Sequence, residues 1–237
     1  MGKLPILMYH NISTEKSKSY GLCVSENNLE AQFKFLKDKG YKTYHFEDLK
    51  TLTSIPPKSI VITFDDVTEN QYLLALPLLI KYQLKATFFI PFAYIGKNDS
   101  WNDGNEKLMS LEKLKSMQNP LFEFGYHSFS HQKYSEMGAD EIEEDFQKCK
   151  EYIHKNDLKV SSALAYPFGN YPRTHKEKEK FKQILQENDI LFGLKIGNRP
   201  NYYPFKNRYE IKRIDIKGED SLTAFKWKIK LGKLKLF

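Results

Sequence analysis

Two histidines and one aspartate have the types and spacing of a metal site. His127 and His131 are four residues apart, so a helical turn would place both side chains on one side. Alone, such a pair is more often two partly exposed histidines than a metal site. Asp66 would add a carboxylate, and two histidines with one carboxylate leave coordination positions open for water and substrate. The sequence therefore predicts that Asp66, His127 and His131 bind one divalent metal ion.

Asp65, directly before this aspartate, has the chemistry of a general base. A Zn²⁺ ion lowers the pKa of bound water from about 15.7 towards about 7, and a neighbouring carboxylate can accept the remaining proton. Two adjacent acids could instead cap the following helix. Capping accounts for one acid, but not for a pair that follows a largely apolar segment and shares a rim with two histidines. The pattern favours Asp65 as the base and a metal-bound water as the nucleophile.

Apolar runs rich in β-branched and aromatic residues alternate with segments of helical periodicity. This alternation is typical of α/β proteins, and about seven strand–helix units predict a barrel-like single domain. No internal repeat or low-complexity linker divides the chain. The predicted strands are residues 4–9, 59–64, 85–91, 121–126, 161–166, 190–196 and 210–214, and the predicted helices are residues 28–39, 69–82, 110–118, 140–154 and 175–188.

The polar candidates come directly after predicted strands. Asp65 with Asp66, His127 and His10 each follow a different strand, and Pro167 follows another. In parallel α/β barrels, the carboxyl ends of the strands form the rim on which active sites are built. We therefore expect these residues, which are far apart in the sequence, to meet at one mouth of the barrel.

Two segments resemble the first two motifs of the polysaccharide deacetylases, carbohydrate esterase family 4: Thr63-Phe64-Asp65-Asp66 and His127-Ser-x-x-His131. The resemblance implies a distorted (β/α)7 barrel, with Asp65 as the general base and Asp66 and the two histidines as metal ligands. It extends from the segment before His10 to the region of Arg213. We therefore expect a catalytic domain at residues 1–220 and a basic amphipathic tail at residues 221–237.

A third segment, Ala165-Tyr166-Pro167-Phe168-Gly169, resembles the third motif of this family, which is usually Arg-x-Pro-Tyr. The resemblance implies that Tyr166, Pro167 and Phe168 contact the substrate, and the backbone N–H of Phe168 could help to hold an oxyanion. Ala165 stands where the family commonly has an arginine that orients the base. Phe168 replaces the tyrosine.

This sequence also differs from the family in the segment that commonly carries the general acid. Many members of the family place it in a Leu-x-His segment near the end of the chain, where this sequence has Ile211-Lys212-Arg213. His10 is the candidate acid, because we expect it on the same rim and histidine can donate a proton near neutral pH. The alternative is a histidine that bonds to backbone in a strand-end turn. Arg213 is expected to orient a carboxylate or bind substrate, with a surface salt bridge as the alternative.

Trp101 is a further candidate for contact with substrate. It belongs to the loop of residues 92–107, which follows a predicted strand and therefore lies on the expected mouth. Its flat apolar face suits a sugar ring. Covering the core is an equally common task for a tryptophan.

Three functions are compatible with these residues. The first is hydrolysis of an N-acetyl group on a polysaccharide or lipid-linked saccharide. The second is removal of an O-acetyl ester from a glycan, which depends less on a strong general acid. The third is a saccharide-binding module with impaired catalysis, suggested by Ala165 and the absent Leu-x-His. Zn²⁺ is the expected cofactor, although Co²⁺, Ni²⁺, Mn²⁺ or Fe²⁺ would suit the same ligands.

Much of the net charge of +7 comes from the end of the chain. Residues 221–237 contain five lysines and no acid, and the rest of the chain is close to neutral. This distribution, without a recognition motif, argues against a nucleic-acid partner. The tail alternates apolar and basic residues but also fits a helical stripe, so its periodicity leaves its secondary structure open. Lysines beside Phe225 and Trp227 suit a segment that lies on an anionic membrane, and the alternative is a last element packed on the barrel.

The sequence also gives an expectation for the compartment. The first residues lack the apolar run and the cleavage site of a signal peptide, and no run of about 18 apolar residues predicts a membrane-spanning helix. We therefore expect a cytoplasmic protein at the inner membrane surface, acting on a glycan of the bacterial cell envelope. Cys23 and Cys149 are far apart and predict neither a disulfide framework nor a thiolate metal site.

Overall fold

The computed structural model describes residues 1–232, and the last five residues of the predicted tail lie outside this range. The strands are β1 (Gly2–Leu4), β2 (Ile6–Tyr9), β3 (Asn11–Ser13), β4 (Cys23–Ser25), β5 (Lys42–Thr43), β6 (Ser59–Asp65), β7 (Ala86–Ile90), β8 (Phe122–Tyr126), β9 (Ala163–Ala165), β10 (Phe192–Ile196), β11 (Asn201–Tyr203) and β12 (Ile211–Asp215). The α-helices are α1 (Glu26–Asp38), α2 (Phe46–Thr51), α3 (Leu76–Tyr82), α4 (Leu111–Ser116), α5 (Ala139–Asn156), α6 (His175–Glu187) and α7 (Leu222–Leu231).

Seven of these strands form a closed parallel barrel. Their order is β2, β6, β7, β8, β9, β10 and β12, and β12 pairs with β2 to complete the ring. The predicted single-domain (β/α)7 barrel is therefore confirmed. β6 is buried along its whole length, because helices cover its outer side and other side chains fill the barrel inside. All seven predicted strands are present, with ends that differ from the prediction by at most two residues.

The helices outside the barrel each bury one face. In α1, Leu29, Phe33 and Leu36 recur at helical spacing and are buried against the barrel. The helix begins where the side chain of Ser25 accepts a hydrogen bond from the N–H of Asn28, which satisfies one of the first free donors of the helix. Such a cap fixes the residue at which the helix begins. It therefore also fixes where the preceding turn ends.

Several short elements were not predicted. β1 pairs antiparallel with β11, β3 pairs with β4, and β5 pairs with the first two residues of β6. These strands have only two or three residues, too few to show a period of two. The segment predicted as one helix at residues 69–82 is a π-helical turn, Gln71–Ala75, followed by α3.

The described part of the basic tail is helix α7. It begins after Ser221, whose side chain accepts a hydrogen bond from the N–H of Ala224. Phe225 and Ile229 are buried, and the ring of Phe225 lies 6.2 Å from that of Phe35 in α1. The helix is thus packed on the outer layer of the barrel, and a separate role for residues 221–237 stays a prediction. Among residues 1–232, no helix combines the length and apolarity needed to span a bilayer.

Candidate active site

The candidate residues meet at the carboxyl end of the barrel. Asp65 is the last residue of β6 and Asp66 follows it, while His127 directly follows β8. His131 lies in the turn after β8, and Arg213 reaches the same place from β12. The expectation that these residues share one mouth therefore agrees with the geometry.

Three of them form a cluster that could hold a metal ion. The candidate ligand atoms of Asp66, His127 and His131 all lie within 4.8 Å of one another. The Nε2 atoms of His127 and His131 are 3.4 Å and 3.2 Å from Oδ1 of Asp66. That oxygen is buried and accepts no hydrogen bond from the described residues. Two imidazoles and an oxygen without a donor are a set that fits a divalent ion such as Zn²⁺.

The protonation of both histidines is set by their surroundings. Nδ1 of His127 lies 2.7 Å from the carbonyl oxygen of Ala165 and donates a hydrogen bond there, so in the neutral ring Nε2 keeps its lone pair. Burial would lower the pKa of His127, but the neighbouring carboxylates of Asp65 and Asp66 raise it. Burial lowers the pKa of His131, which favours the neutral form that can bind a metal. Burial would raise the pKa of Asp66, but the two neighbouring histidines hold it well below its usual range.

The turn that bears His131 is held by an acid from helix α5. Asp145 is buried and accepts hydrogen bonds from the backbone N–H groups of Phe129 (2.8 Å) and Ser130 (3.0 Å) and from the hydroxyl of Ser130. His131 itself has a positive φ of 54°, a conformation that costs energy and therefore needs such support. Sequence analysis missed Asp145. Its position on the buried face of α5, one turn after Ile142, is a signal that could have identified it.

Asp65 is bound on both oxygens by Arg213. One guanidinium nitrogen lies 2.5 Å from Oδ1 and the other lies 2.8 Å from Oδ2. The side chains of Arg213 and Asp65 are only 1% and 2% exposed. Burial alone would raise the pKa of Asp65, but the charges of Arg213, His127 and His10 outweigh it and lower that pKa. The alternative of a surface salt bridge for Arg213 is wrong, because the arginine is buried. In this family an arginine of the third motif commonly orients the base, and this chain has Ala165 at that position. Here Arg213 binds the carboxylate of Asp65 instead.

His10 lies at the same carboxylate. Its Nε2 is 3.6 Å from Oδ2 of Asp65. Gln71, in the π-helical turn, is fully buried, and its side-chain amide donates to the carbonyls of His10 (2.9 Å) and Asp65 (2.6 Å). The glutamine therefore ties together the two strand ends that bear the candidate acid and base. Sequence analysis missed Gln71, since no motif distinguishes it within a polar and apolar helical pattern.

Two aromatic side chains border the metal cluster. The ring of Trp101 stacks on His131 with centroids 4.0 Å apart and also touches Tyr94. Phe168 is half exposed, at 50%, and its ring meets that of His131 edge-on at 4.9 Å. Both rings line the mouth beside the cluster, where a saccharide could pack against them.

The other two predicted substrate contacts lie deeper. Tyr166 is fully buried, and its hydroxyl donates a hydrogen bond to the carbonyl of Tyr209 at 2.9 Å. Its side chain belongs to the core between the barrel and α6, so the prediction that it contacts substrate is corrected. Pro167 is also buried and shapes the turn that exposes Phe168.

Comparison with known proteins gives the family. The model described as polysaccharide deacetylase matches residues 53–185. The poly-β-1,6-N-acetyl-D-glucosamine N-deacetylase of Staphylococcus aureus strain MRSA252 is 32% identical over 224 residues, which cover 90% of this chain and 73% of that protein. The chain belongs to the polysaccharide deacetylase family. The predicted family is thereby confirmed, and this deacetylase is a hydrolase that acts on glycans.

Solved structures agree with this assignment. A polysaccharide deacetylase from Bacillus cereus is 26% identical, with a TM-score of 0.76 and coverage of 96% of this chain and 69% of that chain. A deacetylase from Streptococcus pyogenes in complex with acetate has a TM-score of 0.76 at 24% identity and covers 96% of this chain and 98% of that chain. At that identity the second comparison shows the fold alone.

Proposed function

We propose that this deacetylase removes N-acetyl groups from a β-1,6-linked polymer of N-acetylglucosamine in a bacterial cell envelope, and that it depends on a divalent metal. The proposal rests above all on one observation: the ligand atoms of Asp66, His127 and His131 converge beside a buried carboxylate held by Arg213. The polymer is the one printed in the name of the Staphylococcus aureus relative. The expected metal is Zn²⁺, and Co²⁺, Ni²⁺, Mn²⁺ or Fe²⁺ would suit the same ligands.

Asp66, His127 and His131 would hold the metal. When bound, such an ion polarises the amide carbonyl and makes water a stronger acid. Asp65 is the proposed base that takes a proton from the attacking water. Its bidentate pair with Arg213 keeps the carboxylate ionised and fixes the direction of its oxygens, so that little reorganisation is needed during the reaction.

His10 is the proposed acid for the leaving amine. An amine leaves an amide only when the nitrogen is protonated, and His10 lies 3.6 Å from the base on the same rim. The backbone N–H of Phe168 is the proposed donor to the oxyanion, since its turn borders His131. Trp101 and Phe168 would contact the sugar rings through their faces.

Two alternatives predict different behaviour from the same site. An O-acetyl esterase would need His10 less, because an alkoxide leaves with weaker assistance than an amine. An impaired binding module would lack an oriented base, and the Arg213–Asp65 pair argues against it. The presence of both His10 and Arg213 at Asp65 therefore favours the amide substrate.

The test is acetate release together with metal content. Wild type is expected to bind about one metal per chain and to release acetate from the β-1,6 polymer faster than from chitooligosaccharides or acetylated xylan. Asp65→Asn should keep the metal and lose activity at least about 100-fold, while His127→Ala should lose both. Asp140→Asn, an exposed acid on α5, is the matched control and should behave like wild type.

Three results would contradict the proposal. Wild type without bound metal would refute the metal site. Full activity in Asp65→Asn would refute the base. Faster release from acetylated xylan than from every N-acetylated polymer would select the esterase instead.

A further inference from the structure

Helix α7 has two apolar faces, and packing on the barrel accounts for one of them. Phe225 and Ile229 belong to the buried core and are 0% and 3% exposed, and Phe225 contacts Phe35 of α1. Because successive residues turn by about 100° around a helix, residues two positions later lie on nearly the opposite side. Trp227 and Leu231 occupy those positions, and 49% and 45% of their surfaces are exposed. Their apolar area therefore contributes little to the fold.

Basic side chains surround this outer apolar pair. Lys226 and Lys230 are one helical turn apart, and Lys230 is exposed next to Trp227. Lys226 lies at the edge of this face, with its ammonium group 5.0 Å from the ring of Phe35 in α1. The ammonium group of Lys230 lies 5.7 Å from the Trp227 ring. Lys3 reaches the same end of the helix, where it donates a hydrogen bond to the carbonyl of Lys230 at 3.0 Å.

Lys228, on the other side of the helix, has a structural partner. Its ammonium group binds the carboxylate of Asp220 and the carbonyl of Asp215, and so attaches α7 to the end of β12. The outer side of α7 is therefore basic and apolar, while the inner side holds the helix in place.

We propose that the outer face of α7, formed by Trp227, Lys230 and Leu231 with Lys226 at its edge, binds the surface of an anionic lipid bilayer. Tryptophan favours the interface between water and hydrocarbon, and leucine adds apolar area that can enter it. Lysines beside them are attracted to anionic headgroups. Because Phe225 and Ile229 remain packed in the buried core, the helix can bind without leaving the barrel.

The test measures sedimentation of the whole chain with lipid vesicles. Wild type is expected to bind vesicles of phosphatidylcholine mixed with phosphatidylglycerol and not to bind vesicles of phosphatidylcholine alone. Binding to the mixed vesicles should decrease as salt is added. Lys226→Gln/Lys230→Gln should weaken binding by about tenfold or more, because two attractive charges are lost. Trp227→Ala/Leu231→Ala should weaken it on the order of tenfold as well.

Matched controls separate this face from general charge and general exposed apolar area. Lys176→Gln/Lys180→Gln removes two exposed lysines of α6 with the same spacing. Leu73→Ala/Ile80→Ala removes two side chains that are 60% and 44% exposed elsewhere. Both control variants should bind vesicles like wild type. Acetate release from a soluble oligomer should be unchanged in both α7 variants, which shows that the fold is intact.

The proposal fails if wild type binds neutral and anionic vesicles equally, or binds neither. It also fails if the α7 variants bind like wild type, or if the control variants lose as much binding. Binding to soluble heparin without binding to vesicles would indicate a polyanion partner instead of a bilayer. Vesicle binding is measured without substrate, so these outcomes are independent of the catalytic proposal.

Discussion

Arg213 is the residue on which the charge balance of the site depends. It and Asp65 are both almost fully buried, and each neutralises the other. A buried pair adds modest stability in itself, but removing one partner leaves an uncompensated charge in the interior. The arginine therefore affects stability, by compensating the charge of Asp65, and it also orients the carboxylate. A second substitution at Asp65 can separate these two effects.

We expect Arg213→Met to lower the free energy of unfolding by about 3–5 kcal/mol and to reduce acetate release at least about 100-fold. Urea denaturation measures the first effect. Adding Asp65→Asn to this variant should restore part of the stability, because the buried charge is then removed, but it should restore no activity. If the double variant is as unstable as the single one, the cost does not come from an unpaired Asp65.

Gln71 acts through its two neighbours. Its amide donates to the carbonyls of His10 and Asp65, so it fixes the distance between the proposed acid and base. We expect Gln71→Met, which has a similar length but no hydrogen-bond donor, to lower kcat by about tenfold with little change in KM and metal content. The pH profile of kcat should also shift, since His10 and Asp65 then interact differently. An unchanged profile with a lower melting temperature would mean that Gln71 is only structural.

At the scale of elements, the site depends on how strands end. The residue after β6, Asp66, has a positive φ of 75°, and the turn after β8 contains two more such residues, Ser128 and His131. These unfavourable conformations persist because neighbouring elements hold them, as Asp145 of α5 does for His131. The helices thus contribute to the chemistry by fixing the backbone of the rim.

Glu210 lies directly before β12 and connects this strand to α6 and β10 through two lysines. Burial alone would raise its pKa, but hydrogen bonds from Lys178 of α6 and Lys195 of β10 outweigh burial and lower the pKa to about 2. A carboxyl whose pKa is lowered on folding stabilises the protein above the ordinary value of 4.5 and loses that contribution as the pH falls towards 2.

We therefore expect Glu210→Gln to be less stable than wild type by about 1 kcal/mol near neutral pH, and this difference to vanish as the pH falls from about 4.5 to about 2. Urea denaturation of both proteins across this range gives the comparison. Glu187→Gln, an exposed acid at the end of α6, is the control and should show no such change. A constant difference at every pH would contradict the assigned pKa.

At the scale of the whole molecule, the barrel brings together ligands from two distant parts of the chain. Asp66 follows β6, and both histidines follow β8, so a metal ion would link strands that are separated by β7. A ligand that binds only the folded state stabilises it by about 2.7 kcal/mol at a hundred times its dissociation constant. For a chain of this size, that corresponds to a melting temperature higher by roughly 5–10 °C.

We expect a chelator to abolish acetate release and to lower the melting temperature of wild type by this amount, and added Zn²⁺ to reverse both effects. His127→Ala should melt at the same temperature with and without chelator. Differential scanning calorimetry with metal analysis provides the measurement. A chelator effect of equal size in His127→Ala would show that the metal binds elsewhere.

The sequence by itself determined the strand–helix alternation and pointed to the candidate metal ligands. Periodicity is local, so apolar runs identified every strand of the barrel, and polar residues directly after them marked one rim. The family motifs depend on short spacings, so they selected Asp65, Asp66 and the two histidines as candidates, and the structure brings these four side chains together. The same information could not decide whether Arg213 is buried or exposed. The residues near Arg213 in the sequence do not indicate which distant acid it will contact.

Only the tertiary structure decided which distant groups touch. Closure of the barrel places β12 next to β2 and brings Arg213 to Asp65 across about 150 residues of sequence, and the packing of α6 buries Tyr166. Gln71 likewise acquires its role from a turn that meets two strand ends at once. Contacts of this kind depend on three-dimensional closure, and no local pattern of residues specifies them.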